Sequence, residues 1–189
     1  MNSIRTYKCL KQELFDSGDY KLVPIRHEDR YQIMRWRNEQ MYHLRQSQPL
    51  TEAKQDRYFD EVVSQLFDQE RPDQILFSFL QNKECIGYGG LVHINWEDRN
   101  AELSFIMNTK LEATSFASIW TTYLSLIEEV AFVELKLHKI YTYAFDLRPH
   151  LYQALENNRF FQDGRLKQHC RYQGRFLDVV IHGKLNQRI

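Results

Sequence analysis

Between residues 108 and 114 the hydrophobic period of this chain changes from that of a strand to that of a helix, and no other feature limits the fold as much. Before the change, QILFSFLQ (74–81), ECIGYGGLVHIN (84–95) and AELSFIMN (101–108) read as three strands, with turns at Asn82 and Lys83 and near Glu97 and Asp98. From Thr114, Phe116, Ile119, Trp120, Tyr123, Ile127, Val130 and Ala131 recur at helical spacing to about residue 135. Each element alone would leave an apolar face in water, so the helix must lie on the meander. Alternation along AELSFIMN sets Leu103, Phe105 and Met107 on one face and Glu102, Ser104 and Ile106 on the other, which lets Glu102 face a site.

The flanks extend this pattern. Residues 1–18 read as a short helical extension that stops at Gly18, because Leu10, Leu14 and Phe15 fall at helical spacing. YKLVPIR (20–26) reads as a strand, and Pro24 suggests an edge position. One helix is expected over about 28–46, and another from an N-cap at Thr51 with Phe59, Val63 and Phe67 on one face. HKIYTYAF reads as a strand, PHLYQALENN as a short helix after Pro149, and FFQDGRLKQHCRYQGRFLDVVIHGKL as two strands around Gln173 and Gly174. Strands clustered in this order predict an α+β, mixed α/β fold, one sheet with helices on both faces, rather than a doubly wound sheet. The expected division is an extension over 1–18 and a domain over 19–189.

A chain of 189 residues, 43% of them hydrophobic, suits one such domain. Lys plus Arg is 25 and Asp plus Glu is 25, so no net field favours nucleic acid or an anionic membrane, and neither is expected as a partner. Cys9, Cys85 and Cys170 lie far apart without zinc or disulfide spacing, which points to a reducing, cytoplasmic setting. The first residues lack the apolar run of a signal peptide, and no segment reaches the ~18 uninterrupted apolar residues of a membrane span. The histidines show no HxxxH or HxH spacing, so no metal site is expected. GxSxG, GxGxxG and a Walker loop are absent as well.

Four phrases in this order, MRWRNEQ, AELSFIMN, EEVAFVELKLHKIYTYAF and FFQDGRLKQHCRYQGRFLDVVIHGKL, resemble the GCN5-related N-acetyltransferase (GNAT) superfamily over about residues 20–185. The likeness is to the branch that acetylates ribosomal-protein N-termini and nucleotide-linked amino sugars in particular. It implies a central, mostly antiparallel sheet of about seven strands, splayed between the family's fourth and fifth. Acetyl-coenzyme A (acetyl-CoA) would lie in that splay as co-substrate, its diphosphate on backbone amides at the start of the next helix. LEATSFASIW occupies that place and holds no glycine. The resemblance therefore assigns the cofactor to Ser115, Phe116, Ala117, Ser118 and Arg148, with Lys110 at the rim and a backbone N–H among Phe105, Ile106 and Met107 polarising the thioester if the strand bulges there. Arg148 stands in place of the asparagine common before the fourth helix, Leu155 in place of a thiolate-protonating tyrosine, and Arg159 in place of a glycine.

Acetyl transfer to an amine needs a neutral nucleophile, a polarised carbonyl and a proton for the thiolate. Glu102 is the expected base, with His93 on the adjacent strand sharing the role; the plainer alternatives are a strand-end acid paired with Arg99 and a structural histidine. Tyr152, one helical turn before Leu155, is the fallback proton donor. Trp36, Arg37 and Asn38 would wall the acceptor, Trp36 stacking on a ring and Arg37 meeting a phosphate. The expected activity is N-acetyl transfer to a primary amine, on an amino sugar or a protein N-terminus, by a monomer or homodimer. Two alternatives remain open: a non-catalytic module of the same fold, and an acyltransferase with a different acyl donor.

Overall fold

The computed structural model describes residues 5–187. In chain order, β1 (Phe15–Ser17) and β2 (Tyr20–Pro24) precede α1 (Arg30–Glu39) and α2, a helix over 52–66 with a π segment at Tyr58–Val63. The meander follows as β3 (Ile75–Gln81), β4 (Glu84–Asn95) and β5 (Asn100–Met107), then α3 (Thr109–Glu134). β6 (Lys139–Phe145), α4 (Pro149–Asn157), β7 (Phe161–Tyr172) and β8 (Arg175–Leu185) complete the chain. One sheet of eight strands runs β1-β2-β3-β4-β5-β6-β8-β7, and every pair is antiparallel except β5 with β6.

Local chemistry explains most boundaries. Asn82 and Lys83 both take positive φ, 49° and 73°, the geometry of a tight hairpin turn that matches strand twist. Thr51 caps α2 by accepting the N–H of Lys54 at 3.3 Å. Pro24 sits beyond the last β1 pair, Phe15 with Leu22, so its missing N–H faces no partner strand although β2 is not an edge. Ile119, Trp120, Tyr123, Ile127, Val130 and Ala131 of α3 are buried on the sheet, and the Tyr123 ring stacks on Phe105 at 3.8 Å. That approach requires Gly89, because a Cβ there would stand 2.1 Å from the Ser104 carbonyl and 2.6 Å from the Tyr123 hydroxyl. By length and composition α3 could cross a membrane, yet half of its apolar window is buried in the fold.

Three expectations fail. Residues 5–14 form no helix; Tyr7 is buried, exchanging hydrogen bonds with Leu76, and 15–17 pairs as β1, which gives eight strands rather than about seven. Residues 1–4 of that expected extension lie outside the described residues. The first helix stops at Glu39 instead of near 46, because buried Gln40 turns to donate to the Met107 carbonyl at 2.8 Å. And α3 starts at Thr109, not near Thr114, because Asn108 caps it by accepting the Lys110 N–H at 3.1 Å.

α4 ends with Arg159 at φ 63°, its N–H donating to Glu156 and that of Phe160 to Leu155, a helix stop that favours glycine. Arg159→Gly is expected to stabilise the fold by about 1 kcal/mol, the left-handed penalty less the entropy glycine adds to the unfolded chain. Urea denaturation measures it.

Candidate active site

β5 and β6 pair only from Asn100–Lys139 to Glu102–Tyr141 and then part. The Asn108 N–H donates to Ile86, so the amides of Glu102, Ser104 and Ile106 are spent on β4; that of Leu103 closes the last pair with Tyr141 of β6, and that of Phe105 points into the gap. Met107 points there too, its carbonyl taken by Gln40. Of the three expected backbone donors, Ile106 is therefore excluded by register. Nor does β5 bulge: the irregularity lies in β4 between Val92 and Asn95, where His93 takes φ 52°. A cavity of about 100 Å³ fills the gap and runs through the sheet, from Trp120, Leu151 and Arg148 on the α3–α4 face to Arg45, Glu102 and Tyr143 on the other. Thr142 lines it, with a buried hydroxyl that has no hydrogen-bond partner among the described residues. Such a group inside a gap of unpaired amides fits a polar acyl-carrier arm.

Glu102 lies at the apex, 6% exposed, and is not the exposed acid of the plainer reading. Burial lifts its carboxyl above the ordinary value of 4.5, while Arg45, which bonds Oε1, and His93 pull it back. His93 Nε2 stands 3.8 Å from Oε2 and its side chain is largely exposed, so it reaches the same carboxylate from solvent. Arg45 also lies 4.8 Å over the Tyr143 ring. Nothing local in the sequence marks Arg45, because its partner is 57 residues away.

On the other face a cleft of about 750 Å³ opens between α3 and α4, lined by Tyr42, Thr109, Ala113, Phe116, Ala117 and His150 among others. Phe116 and Ala117 thus reach the expected region, but Ser115 and Ser118 do not line it; their hydroxyls bond within α3. The amides of Ser115–Ser118 sit inside the helix and are committed to its ladder, so the predicted backbone grip on a diphosphate is absent from this geometry. Lys110 is exposed and lines none of these cavities. Arg148 is buried, its Nη1 2.8 Å from His43 Nε2 and 3.4 Å from Glu112, with the guanidinium over Phe116. It ties the starts of α3 and α4 together. Burial, and then the same cation, hold the pKa of the His43 imidazole down to about 3.

Two further expectations are corrected. Tyr152 turns from the gap: its hydroxyl donates to Asp146 at 2.9 Å, its ring stacks on His182, and burial beside that carboxylate raises its pKa, so it is badly placed to protonate a thiolate. Trp36 is core, and Asn38 pins the loop after α1 by exchanging hydrogen bonds with the Leu50 backbone and accepting one from Gln46. Arg37 alone of that trio lines a cavity, one of about 260 Å³ between α1, α2 and the sheet. Ser104 lines both this cavity and the gap.

Residues 22–181 match the family model described as acetyltransferase (GNAT) domain, so the chain belongs to the GNAT acetyltransferase family, whose enzymes pass an acetyl group from acetyl-CoA to an amine. Among solved structures it is similar to a spermidine N-acetyltransferase from Vibrio cholerae in complex with CoA and spermine, at 21% identity and TM-score 0.79, covering 91% of this chain and 98% of that one. A dodecameric structure of spermidine N-acetyltransferase from Vibrio cholerae in an intermediate state matches at 20% identity and TM-score 0.74, covering 91% and 96%. Comparison with curated proteins finds no sequence match.

With Glu102 as base, Glu102→Gln should lower kcat by about 10²–10⁴-fold while the fold persists, read by steady-state kinetics and melting. In the wild type kcat/KM should fall with acidity on a limb above pH 4.5, since the ionised carboxylate is the active form. Arg45→Met removes the main influence lowering that pKa, so the limb should move to higher pH; a pH–rate profile checks the sign.

Proposed function

We propose that this enzyme transfers acetyl directly from acetyl-CoA to the primary amine of a small molecule, with the acyl arm in the gap between β5 and β6. The cavity that pierces the sheet carries the reading, because its lining runs from Arg148, which contacts Glu112 and Phe116 of the α3–α4 cleft, to Glu102 and to Ser104 of the acceptor side. Phe105 and Met107 offer N–H groups to a thioester oxygen, and Thr142 offers a hydroxyl without a hydrogen-bond partner among the described residues. Glu102 takes the amine proton, directly or through water, with His93 and Arg45 setting its charge. The diphosphate must meet groups other than the Ser115–Ser118 amides.

The acceptor cavity of about 260 Å³ is near the small end of the ~300–1,000 Å³ usual for small-molecule sites, which supports a compact amine over a protein N-terminus. An amino sugar remains compatible with it. The names of the similar structures bring polyamines forward as the other candidate. All three cysteines are free thiols, in keeping with a reducing, cytoplasmic setting.

Saturating acetyl-CoA at about 100 times its Kd should add ~2.7 kcal/mol and raise Tm by roughly 5–10 °C. Release of CoA thiol in the presence of an amine would confirm turnover. No shift at millimolar acetyl-CoA overturns the proposal and leaves a non-catalytic module; a shift with another acyl-CoA only would reassign the donor.

A further inference from the structure

The charges in the acceptor cavity carry a more specific conclusion, which rests on the acetyltransferase reading. Arg37 is the single charged residue among those lining it; Gln55, Gln74, Tyr58, Tyr88 and Ser104 supply neutral polar groups, and the rest is apolar. Arg37 is half-buried, donates to the Tyr88 hydroxyl and to Gln46 Oε1 at 3.0 Å, and has no carboxylate within 4.0 Å among the described residues. A guanidinium has five donors, so two neutral acceptors leave most of them unfilled. By contrast, Arg26, Arg30 and Arg148, half-buried or buried like Arg37, each have an acid partner. An enclosed cation held in place by uncharged neighbours is poised for an anion from outside the chain.

The sheet sets where that anion would lie relative to the chemistry. Glu102 and Ser104 share one face of β5, about 7 Å apart along the strand, and Ser104 lines the cavity that Arg37 enters. Tyr88, which Arg37 bonds, pairs with Ile106, two residues further on the same face. An amine at Glu102 and an anionic group at Arg37 thus fit opposite ends of one row, on the order of 10 Å apart.

We propose that Arg37 is a specificity residue that selects an acceptor carrying a carboxylate or phosphate at the far end from its amine. A polycation in this cavity would set an ammonium group against an arginine with no acid to offset it, so spermidine is disfavoured by the same feature.

The test compares kcat/KM for two matched pairs, 6-aminohexanoate against hexylamine and glucosamine 6-phosphate against glucosamine, with spermidine as a fifth acceptor. The two pairs separate carboxylate from phosphate. Wild type should prefer the anionic member of at least one pair by about 30-fold, the range of a charged hydrogen bond. Arg37→Gln should bring that ratio to within about 3-fold through acceptor KM, and Arg37→Lys should restore part of it, while acetyl-CoA still raises Tm in both variants. A preference for spermidine or for the neutral amines, or a ratio unchanged in Arg37→Gln, overturns the inference. Should no amine turn over, the anionic probes at 10-fold increments to millimolar concentrations must raise the wild-type Tm and not that of Arg37→Gln, and failure there also overturns it. Loss of the acetyl-CoA shift in wild type would instead sink the acetyltransferase reading itself.

Discussion

Everything in this molecule is arranged around the parting of β5 and β6. Three residue pairs hold them parallel, the last closed by the Leu103 N–H, and beyond it the amides of Phe105 and Met107 face a gap. Leaving buried backbone groups unpaired costs about 1–3 kcal/mol each, so a fold keeps such a gap only where the surrounding packing enforces it. Here the enforcement comes from both faces: Trp120 and Leu151 stand on one side, Arg45 on the other, and the Phe105–Tyr123 stack fixes β5 against α3. The same unpaired groups form a strand edge of the kind on which an extended, amide-bearing arm can pair. Glu102 owes its raised pKa to its position at the point of divergence, where the sheet is still closed enough to exclude water.

A second set of interactions replaces family features with different chemistry. Arg148 takes the place of a neutral asparagine, and its charge is shared by His43, Glu112 and the Phe116 ring. Removing Glu112 would strand the buried Arg148 charge, which makes this cluster a tie between two helix starts and the loop after α1. Arg159 keeps the left-handed helix stop that a glycine would adopt more easily. Leu155 fills core, where a hydroxyl would need a partner.

The meander and the buried stripe of α3 were legible because long runs with a clear period of two or 3.6 dominate local preference. β1 was not, since three residues become a strand only through their partners Tyr20–Leu22. The start of α3 was misplaced because Thr109–Ala113 carries little apolar periodicity, although Asn108 was an available cap signal. Alternation along one strand singled out Glu102, which lines the gap, and a place in the first helix singled out Arg37, which lines a cavity. Arg45 and Thr142 escaped because their roles come from contacts across the sheet. Trp36, Asn38 and Tyr152 were misread for a related reason: residue type suggested chemistry, while packing, a loop pin and an Asp146 hydrogen bond had already claimed each side chain.

A passage that crosses a sheet has two mouths. One side is lined by Trp120, Leu151 and Arg148, next to the α3–α4 cleft, and the other by Glu102 and Ser104, the latter shared with the cavity under α1 and α2. Two reactants arriving by separate entrances have no need to take turns, and no covalent way-station on the protein is required to carry a fragment from one to the other. The architecture thus suits a ternary encounter in which donor and acceptor wait on opposite sides of a single layer of backbone.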